Sequence, residues 1–402
     1  MAYDYDVVII GGGLGGATLA RALASQGIRV LVLEREKIFR DRVRGELIHP
    51  WGVAEARTLG LYELLKQTCG YEVRFRDNHV IGLPPAKPRD LVATSPHQVG
   101  SLHFYHPEMQ EVLLTAAARA GAVVLRGVSA MEVVPGSAPG VRVQQDKGEY
   151  TYYARLVVGA DGRSSACRKW AGLTVQRDPE RMVMAGVLFT GLSASDQAYH
   201  IFAKPSCNEV ALQIPLGGTR FRCYHAFYQQ DGRRRLSGRE AVADFVEANV
   251  NAGAPREWFD QVEVAGPLAS FDCAEVWVNH PYRAGVTLVG DAAATSDPTF
   301  GCGQSLTLRD VRVLSNLLLT EENWEAASHA YAAEHDRYFS SLHKILGWMT
   351  ELLYEPGPAA TSRREKAFVW LAEDPRRIPD IVGLGPEAPS DESAYLNLFG
   401  EA

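Results

Sequence analysis

Gly11-Gly12-Gly13-Leu14-Gly15-Gly16 follows the β-branched run Val7-Val8-Ile9-Ile10 and opens an Ala- and Leu-rich stretch, Leu14 to Gln26. The hexapeptide satisfies G-x-G-x-x-G between a strand and a helix. Gly11 permits the tight turn, Gly13 lets the backbone approach a pyrophosphate, and Gly16 lets helix and strand pack closely, with the phosphates at the positive helix end. A second buried run, Arg29 to Leu33, leads to Glu34, 18 residues beyond Gly16. A carboxylate there can accept hydrogen bonds from an adenosine ribose. The expectation is a dinucleotide-binding βαβ unit; this element alone does not separate NAD from FAD.

Outward from that unit, the chain of 402 residues is long enough for two domains. A content of 46% hydrophobic and 22% charged residues describes a folded globular chain, not a disordered or fibrous one. The net charge of -7 gives no global field for nucleic acid or an anionic bilayer, and the basic run Arg233-Arg234-Arg235 reads as a solvated turn. The start, Met1 to Asp6, lacks a signal-peptide pattern, and no apolar run reaches the ~20 residues of a membrane span. A cytoplasmic protein is expected. Cys69, Cys167, Cys207, Cys223, Cys273 and Cys302 are scattered without ligand-type spacing, which suits reduced thiols and argues against a metal site or disulfide framework.

Further along, Pro50 to Leu65 reads as helical, Tyr71 to Phe75 as a strand, and Pro84 to Gly100 as loop. Pro107 to Ala120 reads as an amphipathic helix, and short strands between Ala122 and Val158 form a meander. Alternating apolar and polar runs from Met182 to Phe227 predict an antiparallel sheet with one buried face and a helix, Arg239 to Asn251, crossing it. Val286 to Val289 returns to the first domain, and Gln304 to Leu353 and Arg363 to Ala372 are helical, before a Pro-rich, acidic tail. The fold class expected is α/β (α+β overall). Its dinucleotide-binding domain spans 1–70, 100–181 and 282–320, the antiparallel-sheet substrate domain spans 71–99 and 182–281, and a helical C-terminal region spans 321–402.

Two later elements also stand at strand ends. Val157-Val158-Gly159-Ala160-Asp161-Gly162-Arg163 ends a buried strand in Asp-Gly; alone, that could be an ordinary turn. Val286 to Val289 runs into Gly290-Asp291-Ala292-Ala293, then Pro298, Gly301-Cys302-Gly303 and a long helix. There a carboxylate and a positive helix end can meet an electron-rich ring or an anion.

Taken in order, the three elements resemble the para-hydroxybenzoate hydroxylase-like, single-component FAD-dependent monooxygenases, from about Tyr5 to about Leu319. The resemblance implies a Rossmann-like FAD domain. In it Gly11, Gly13, Gly16 and Glu34 would hold the ADP half, Asp291 the ribityl chain, and Pro298 and Gly301, Cys302 and Gly303 the flavin edge. Asp161 would brace the fold near the pyrophosphates. Arg42-Val43-Arg44-Gly45-Glu46-Leu47 is similar to the family's arginine-containing segment, with Arg44 favoured over Arg42 as the pyrophosphate or flavin contact. Arg44 to Pro50 is also similar to segments of squalene epoxidases and flavin-dependent halogenases, which points to a bulky substrate. The chain departs from the family pattern at His106, where an Arg is usual, leaving His106 or Gln110 to face the phosphates, and at Ala294, where a His is common. A halogenase Trp-x-Trp-x-Ile-Pro segment is absent.

By that likeness, reduced flavin would activate dioxygen as a C4a-hydroperoxide, with NADH or NADPH as a transient reductant, to hydroxylate or epoxidise an aromatic or polycyclic molecule. The pocket is expected between flavin and antiparallel sheet, lined by Phe202, Gln213, His225, Phe227, Pro298 and Phe300. His225 is the candidate for a phenolic proton transfer, although a hydrogen-bonded structural histidine satisfies the same pattern. The alternatives are a reductase, dehydrogenase or halogenase on this scaffold, or a flavin-binding sensor without turnover.

Overall fold

The computed structural model describes residues 3–145, 148–229 and 234–401. Of the basic run, Arg233 lies outside the described residues, while Arg234 and Arg235 are exposed. Among the described residues no helix is long and apolar enough to cross a membrane.

The strand Tyr5–Ile10 is the centre of a parallel sheet because its Val7, Val8 and Ile9 side chains are all fully buried, as expected when both faces are covered. Its neighbours are Val30–Glu34 on one side and Gly148–Gly159 on the other, with Val123–Arg126 and Val286–Leu288 beyond them. The registers Ile10↔Gly159 and Gly159↔Leu288 bring three remote strand ends level. Backbone hydrogen bonds continue that alignment past the strands, from Ala160 N–H to the Ile10 carbonyl (2.8 Å) and from Val289 N–H to the Gly159 carbonyl (3.0 Å).

One face of this sheet is covered by the helix Leu14–Ala24, which packs on the helices His106–Arg119 and Gly303–Thr320. The strand Gly148–Gly159 has two duties. Its outer half pairs with Gly140–Gln145 in an antiparallel meander, and its inner, buried half joins the parallel sheet.

The second sheet runs in the order Glu263–Val264, Met182–Thr190, Arg220–Tyr228, Glu209–Pro215, Ala198–Lys204, Phe75–Val80, Arg89–Asp90, with Ala269–Asp272 also on Met182–Thr190. Phe245 and Ala252 of the helix Val242–Ala252 cover one face, against Val187, Phe189, Ala211 and Phe221. The opposite face looks toward the first sheet.

Three stretches differ from the sequence expectation. The run Tyr71 to Phe75 is split, with Gly70–Val73 pairing with Ser101–Phe104 and Phe75–Val80 entering the second sheet. Inside the expected loop of residues 84–100, Arg89–Asp90 is an edge strand and Leu91–Thr94 a short helix, capped by Asp90 accepting from the Val92 and Ala93 amides (3.1 Å each). The tail after Glu373 folds back onto the body. The Trp51 indole donates to the Ile381 carbonyl (3.1 Å), and Ile381, Val382 and the final helix Glu392–Phe399 join the core.

Candidate functional site

The three strand ends open into a cavity of about 1190 Å³ that continues between the first sheet and the second sheet's inner face. The glycines at its mouth carry distinct constraints. Gly11 has φ +105°, and a Cβ there would lie 2.3 Å from the Ala160 carbonyl oxygen. At Gly16 a Cβ would lie 1.9 Å from the Gly11 carbonyl oxygen, so the helix can pack this close only without a side chain. Gly13 has nothing nearer than Gln110 Nε2 at 3.5 Å, and it lines the cavity. Gly13 also caps the helix Leu14–Ala24 without any side-chain hydrogen bond or first-turn acid, so the positive helix end faces open space. A diphosphate fits that cradle.

Glu34 is buried and lines the cavity; its Oε2 accepts from Gly12 N–H and its Oε1 from Glu36 N–H, each at 2.7 Å. A carboxylate has about four acceptor sites, so lone pairs remain for ribose hydroxyls. Asp161 stands on the cavity wall, accepting from the Ser165 hydroxyl (2.6 Å) and the Ala166 amide (2.7 Å), which organises the turn after its strand.

Asp291 lines the cavity on the third strand end, where burial raises its pKa and the positive charges of Arg44, Arg163 and Arg168 oppose that rise. Its turn is held from two sides by residues whose part the sequence did not disclose. The buried Arg168 donates Nε–H to the Ala292 carbonyl (2.7 Å) and Nη2–H to the Asp291 carbonyl (2.5 Å), tying the second strand end to the third. Asp310, fully buried on the helix Gly303–Thr320, accepts from Gly290 N–H (2.7 Å) and from the Tyr338 hydroxyl (2.5 Å). An acid on the buried side of an otherwise apolar helix face was the available signal.

The turn Pro298–Phe300 and both Gly301 and Gly303 line the cavity. Asp297 caps the turn by accepting from the Thr299 amide (2.9 Å), and burial raises its carboxyl to about 6. His49 Nε2 lies 2.9 Å from the Phe300 carbonyl; burial pushes its pKa down to about 4, so the neutral ring donates there. Cys302 is fully buried, does not line the cavity, and has its thiol pKa pushed up by burial; it packs the turn between the two glycines.

The segment Arg42 to Glu46 forms the adjoining wall. Arg44 faces the cavity, and Arg42, also on it, is paired with Glu36. His106 and Gln110 line the cavity too, but His106 Nδ1 lies 2.9 Å from the Gly45 carbonyl, which turns that nitrogen toward the segment. Burial lowers its pKa to about 4. Beneath the segment, the wholly buried Arg222 donates to Glu46 Oε1 (3.1 Å) and to both oxygens of Asp41 (2.8 Å each), while the Tyr224 hydroxyl donates to Glu46 Oε2. Val43 takes φ +54°, an uncommon conformation for a β-branched residue, and is buried in the gap left by Gly186.

The expected pocket residues divide by face. Pro298 and Phe300 line the cavity; Phe202, Gln213, His225 and Phe227 do not. Phe202 stacks on His79 (4.7 Å) and meets Trp258 edge-on (5.7 Å), Gln213 donates to Asn249 of the covering helix (2.9 Å), and His225 packs beside Phe227 and Glu209. Successive strand residues point to opposite faces. The cavity face carries their neighbours Ile201, Leu212 and Tyr224, one residue out of phase with the sequence expectation, so His225 does not reach the cavity to transfer a proton there. Tyr199 and Arg76 also lie on this face, and Leu353, Phe368, Pro379 and Ile381 from the C-terminal region close it.

Comparison with known proteins agrees with this geometry. The profile of a family described as FAD binding domain matches residues 4–343. A 6-methylpretetramide 4-monooxygenase of Streptomyces rimosus is 26% identical over 399 residues, covering 92% of this chain and 89% of the relative. A squalene epoxidase of Candida albicans is 23% identical over 372 residues, covering 78% and 71%. Among solved structures, p-nitrophenol 4-monooxygenase from Pseudomonas putida superposes with a TM-score of 0.77 at 19% identity, over 93% of this chain and 95% of that one, which speaks to the fold. The chain belongs to the FAD binding domain family and is an FAD-dependent monooxygenase.

Proposed function

We propose that this monooxygenase uses NADH or NADPH and dioxygen to hydroxylate or epoxidise a bulky aromatic or polycyclic small molecule. The single observation that carries the reading is one continuous cavity of about 1190 Å³. It joins three nucleotide-type strand ends to an apolar sheet face, with space for a dinucleotide and a second large molecule. The relatives, named for 6-methylpretetramide and squalene, agree on a bulky substrate, and the first of them on a polycyclic one.

When bound, FAD supplies the redox chemistry, taking electrons from a nicotinamide and passing an oxygen atom of dioxygen to substrate. The chain's own residues bind, orient and exclude water. Gly13 and the helix end at Leu14 would hold the pyrophosphate with Arg44, Glu34 the ribose, Asp291 the ribityl hydroxyls, and Gly301 and Gly303 the ring edge. Arg168 and Asp310 keep the Gly290-Asp291 turn in place. Tyr224 is fixed at the cavity by Glu46, which keeps its hydroxyl proton on a defined line. Within the C-terminal region, 321–402, residues between Met349 and Val382 close the substrate side of the sheet domain, 71–99 and 182–281, and the helix Trp324–Leu353 packs on the FAD domain, 1–70, 100–181 and 282–320.

The test is made on the purified yellow protein. Polycyclic phenols and polyenes are screened for acceleration of NADH or NADPH oxidation, and the product formed under ¹⁸O₂ is analysed by mass spectrometry. One labelled oxygen atom per product is expected. Substrate turnover with no label in the product overturns the reading in favour of a reductase or dehydrogenase.

A further inference from the structure

The inner face of the second sheet carries polar groups in two places: Arg222 and Tyr224 at its centre, both engaged by Glu46, and a group at its outer edge. There, parallel pairing sets Arg76 directly beside Tyr199, and the next strand sets Arg89 opposite Arg76. All three side chains line the cavity. Their hydrogen-bonding states differ. Arg89 is satisfied, donating through Nη1 and Nη2 to the two oxygens of Asp380 (2.7 and 2.8 Å) from the folded-back C-terminal segment. Arg76 has no hydrogen-bond or ion-pair partner among the described residues, and its Nε is buried from solvent. Tyr199 is only 2% exposed, and its hydroxyl also has no partner.

Two adjacent buried donors without acceptors are costly in a folded protein unless a ligand supplies the acceptor. Charge points the same way. Arg76 and Arg89 against Asp380 leave one positive charge, and the neighbouring His49, with its pKa lowered to about 4 by burial, adds none. The Tyr199 phenol keeps its proton, since burial raises it to about 12, so it enters as a donor. A guanidinium and a hydroxyl side by side present N–H and O–H groups to one anionic oxygen group.

We propose that Arg76 and Tyr199 form an anion-recognition site within the substrate chamber, and that the substrate is an apolar ring system bearing a carboxylate or an ionised phenol or enol. This rests on the monooxygenase reading and narrows it. Squalene-like hydrocarbons, which offer no anion, are thereby excluded as natural substrates. The apolar ring system would lie along Ile201, Leu212 and Ile214, with its charged end at the Arg76 edge. Arg89–Asp380 is the brace that keeps the C-terminal segment over that edge without consuming the charge of Arg76.

The experiment titrates the FAD-loaded protein with anthracene-2-carboxylate, its methyl ester and 2-hydroxyanthracene. Binding is read from probe fluorescence and ionisation of the phenol from its absorbance. The acid is expected to bind about ten- to a hundredfold more tightly than the ester, the range of one charge-assisted pair. Arg76→Met should abolish that preference, Arg76→Lys should keep part of it, and Tyr199→Phe should reduce it severalfold, with far-UV circular dichroism reporting that each variant is folded. If the phenol is the better ligand and binds as its anion, the proposal holds with phenolate as the group. Equal binding of acid and ester, a preference that survives in folded Arg76→Met, or no binding of either anion at millimolar concentration overturns it. A failure of ¹⁸O incorporation would refute the oxygenation reading and leave this binding result intact, whereas turnover of neutral polycycles with no anion preference would do the reverse.

Discussion

Replacing Asp310 by Ala removes the acceptor that holds the Gly290 amide at 2.7 Å and the Tyr338 hydroxyl at 2.5 Å in a fully buried setting. Each stranded donor costs about 1–3 kcal/mol, giving roughly 2–6 kcal/mol for the pair. Some of this is offset, because burial raises the Asp310 pKa and so marks the carboxylate as destabilised where it sits. A net loss of about 2–4 kcal/mol remains, a sizeable part of the ~5–15 kcal/mol that stabilises an ordinary domain. At ~2 °C or a little more per kcal/mol for a large domain, Tm should fall by about 4–10 °C. The loss is not only structural, because Gly290 immediately precedes Asp291. Freeing its amide loosens the turn that presents that carboxylate, and FAD affinity should drop at least about tenfold, or ~1.4 kcal/mol. Differential scanning fluorimetry of the apoprotein and titration of FAD by quenching of its fluorescence measure the two effects separately. Asp310→Asn, which keeps one acceptor oxygen, should fall between wild type and Ala on both. A Tm within about 1 °C of wild type would refute the assigned hydrogen bonds. A lowered Tm with unchanged FAD affinity would refute the positioning role.

The two faces of the second sheet give a second prediction: His225→Ala should leave FAD affinity and substrate turnover within about twofold of wild type, while Tyr224→Phe, which removes the hydroxyl that Glu46 holds at the cavity, should lower turnover about tenfold; the reverse order, in steady-state kinetics, would restore His225 as the functional residue. A third concerns pH. Burial raises the Asp297 carboxyl from 3.8 to about 6, so the folded state holds its proton to a higher pH than the unfolded chain does, and its contribution, complete below about pH 4, is lost as pH rises through about 6. Urea unfolding of the apoprotein between pH 4 and 7 should show that decline, and Asp297→Asn should flatten it; a variant with an unaltered slope would contradict the assignment.

Much of the nucleotide end of the site was legible in the chain because its constraints are local. A +105° turn at Gly11 and a Cβ-free approach at Gly16 admit almost no residue but glycine, and they act within a few positions of one another, so they are written as a motif. Asp161 and Asp291 could likewise be located at strand ends, and Pro298, Gly301 and Gly303 at the turn that opens the next helix, and all of them reach the cavity. The substrate end behaved differently. The second sheet was expected to have one buried face, but both are buried, one under a helix and one over the cavity, so apolar residues stand on both sides of each strand and the pattern carries little phase. That is how Phe202, Gln213, His225 and Phe227 were read onto the wrong face.

Sequence alone therefore determined the family's strand–turn–helix punctuation, because steric limits on a turn and hydrophobic periodicity belong to short stretches of chain. Tertiary structure decided which groups the substrate meets. Arg168 reaches carbonyls 123 and 124 residues away, and Arg89 meets Asp380 across 291 residues. No local pattern encodes such pairs: a hydrogen bond depends on where two atoms finish in space, and the distance along the polymer leaves no mark on either residue's neighbours. The open donors of Arg76 and Tyr199 have the same origin, for only the folded arrangement shows that Asp380 goes to Arg89 and leaves them facing the cavity.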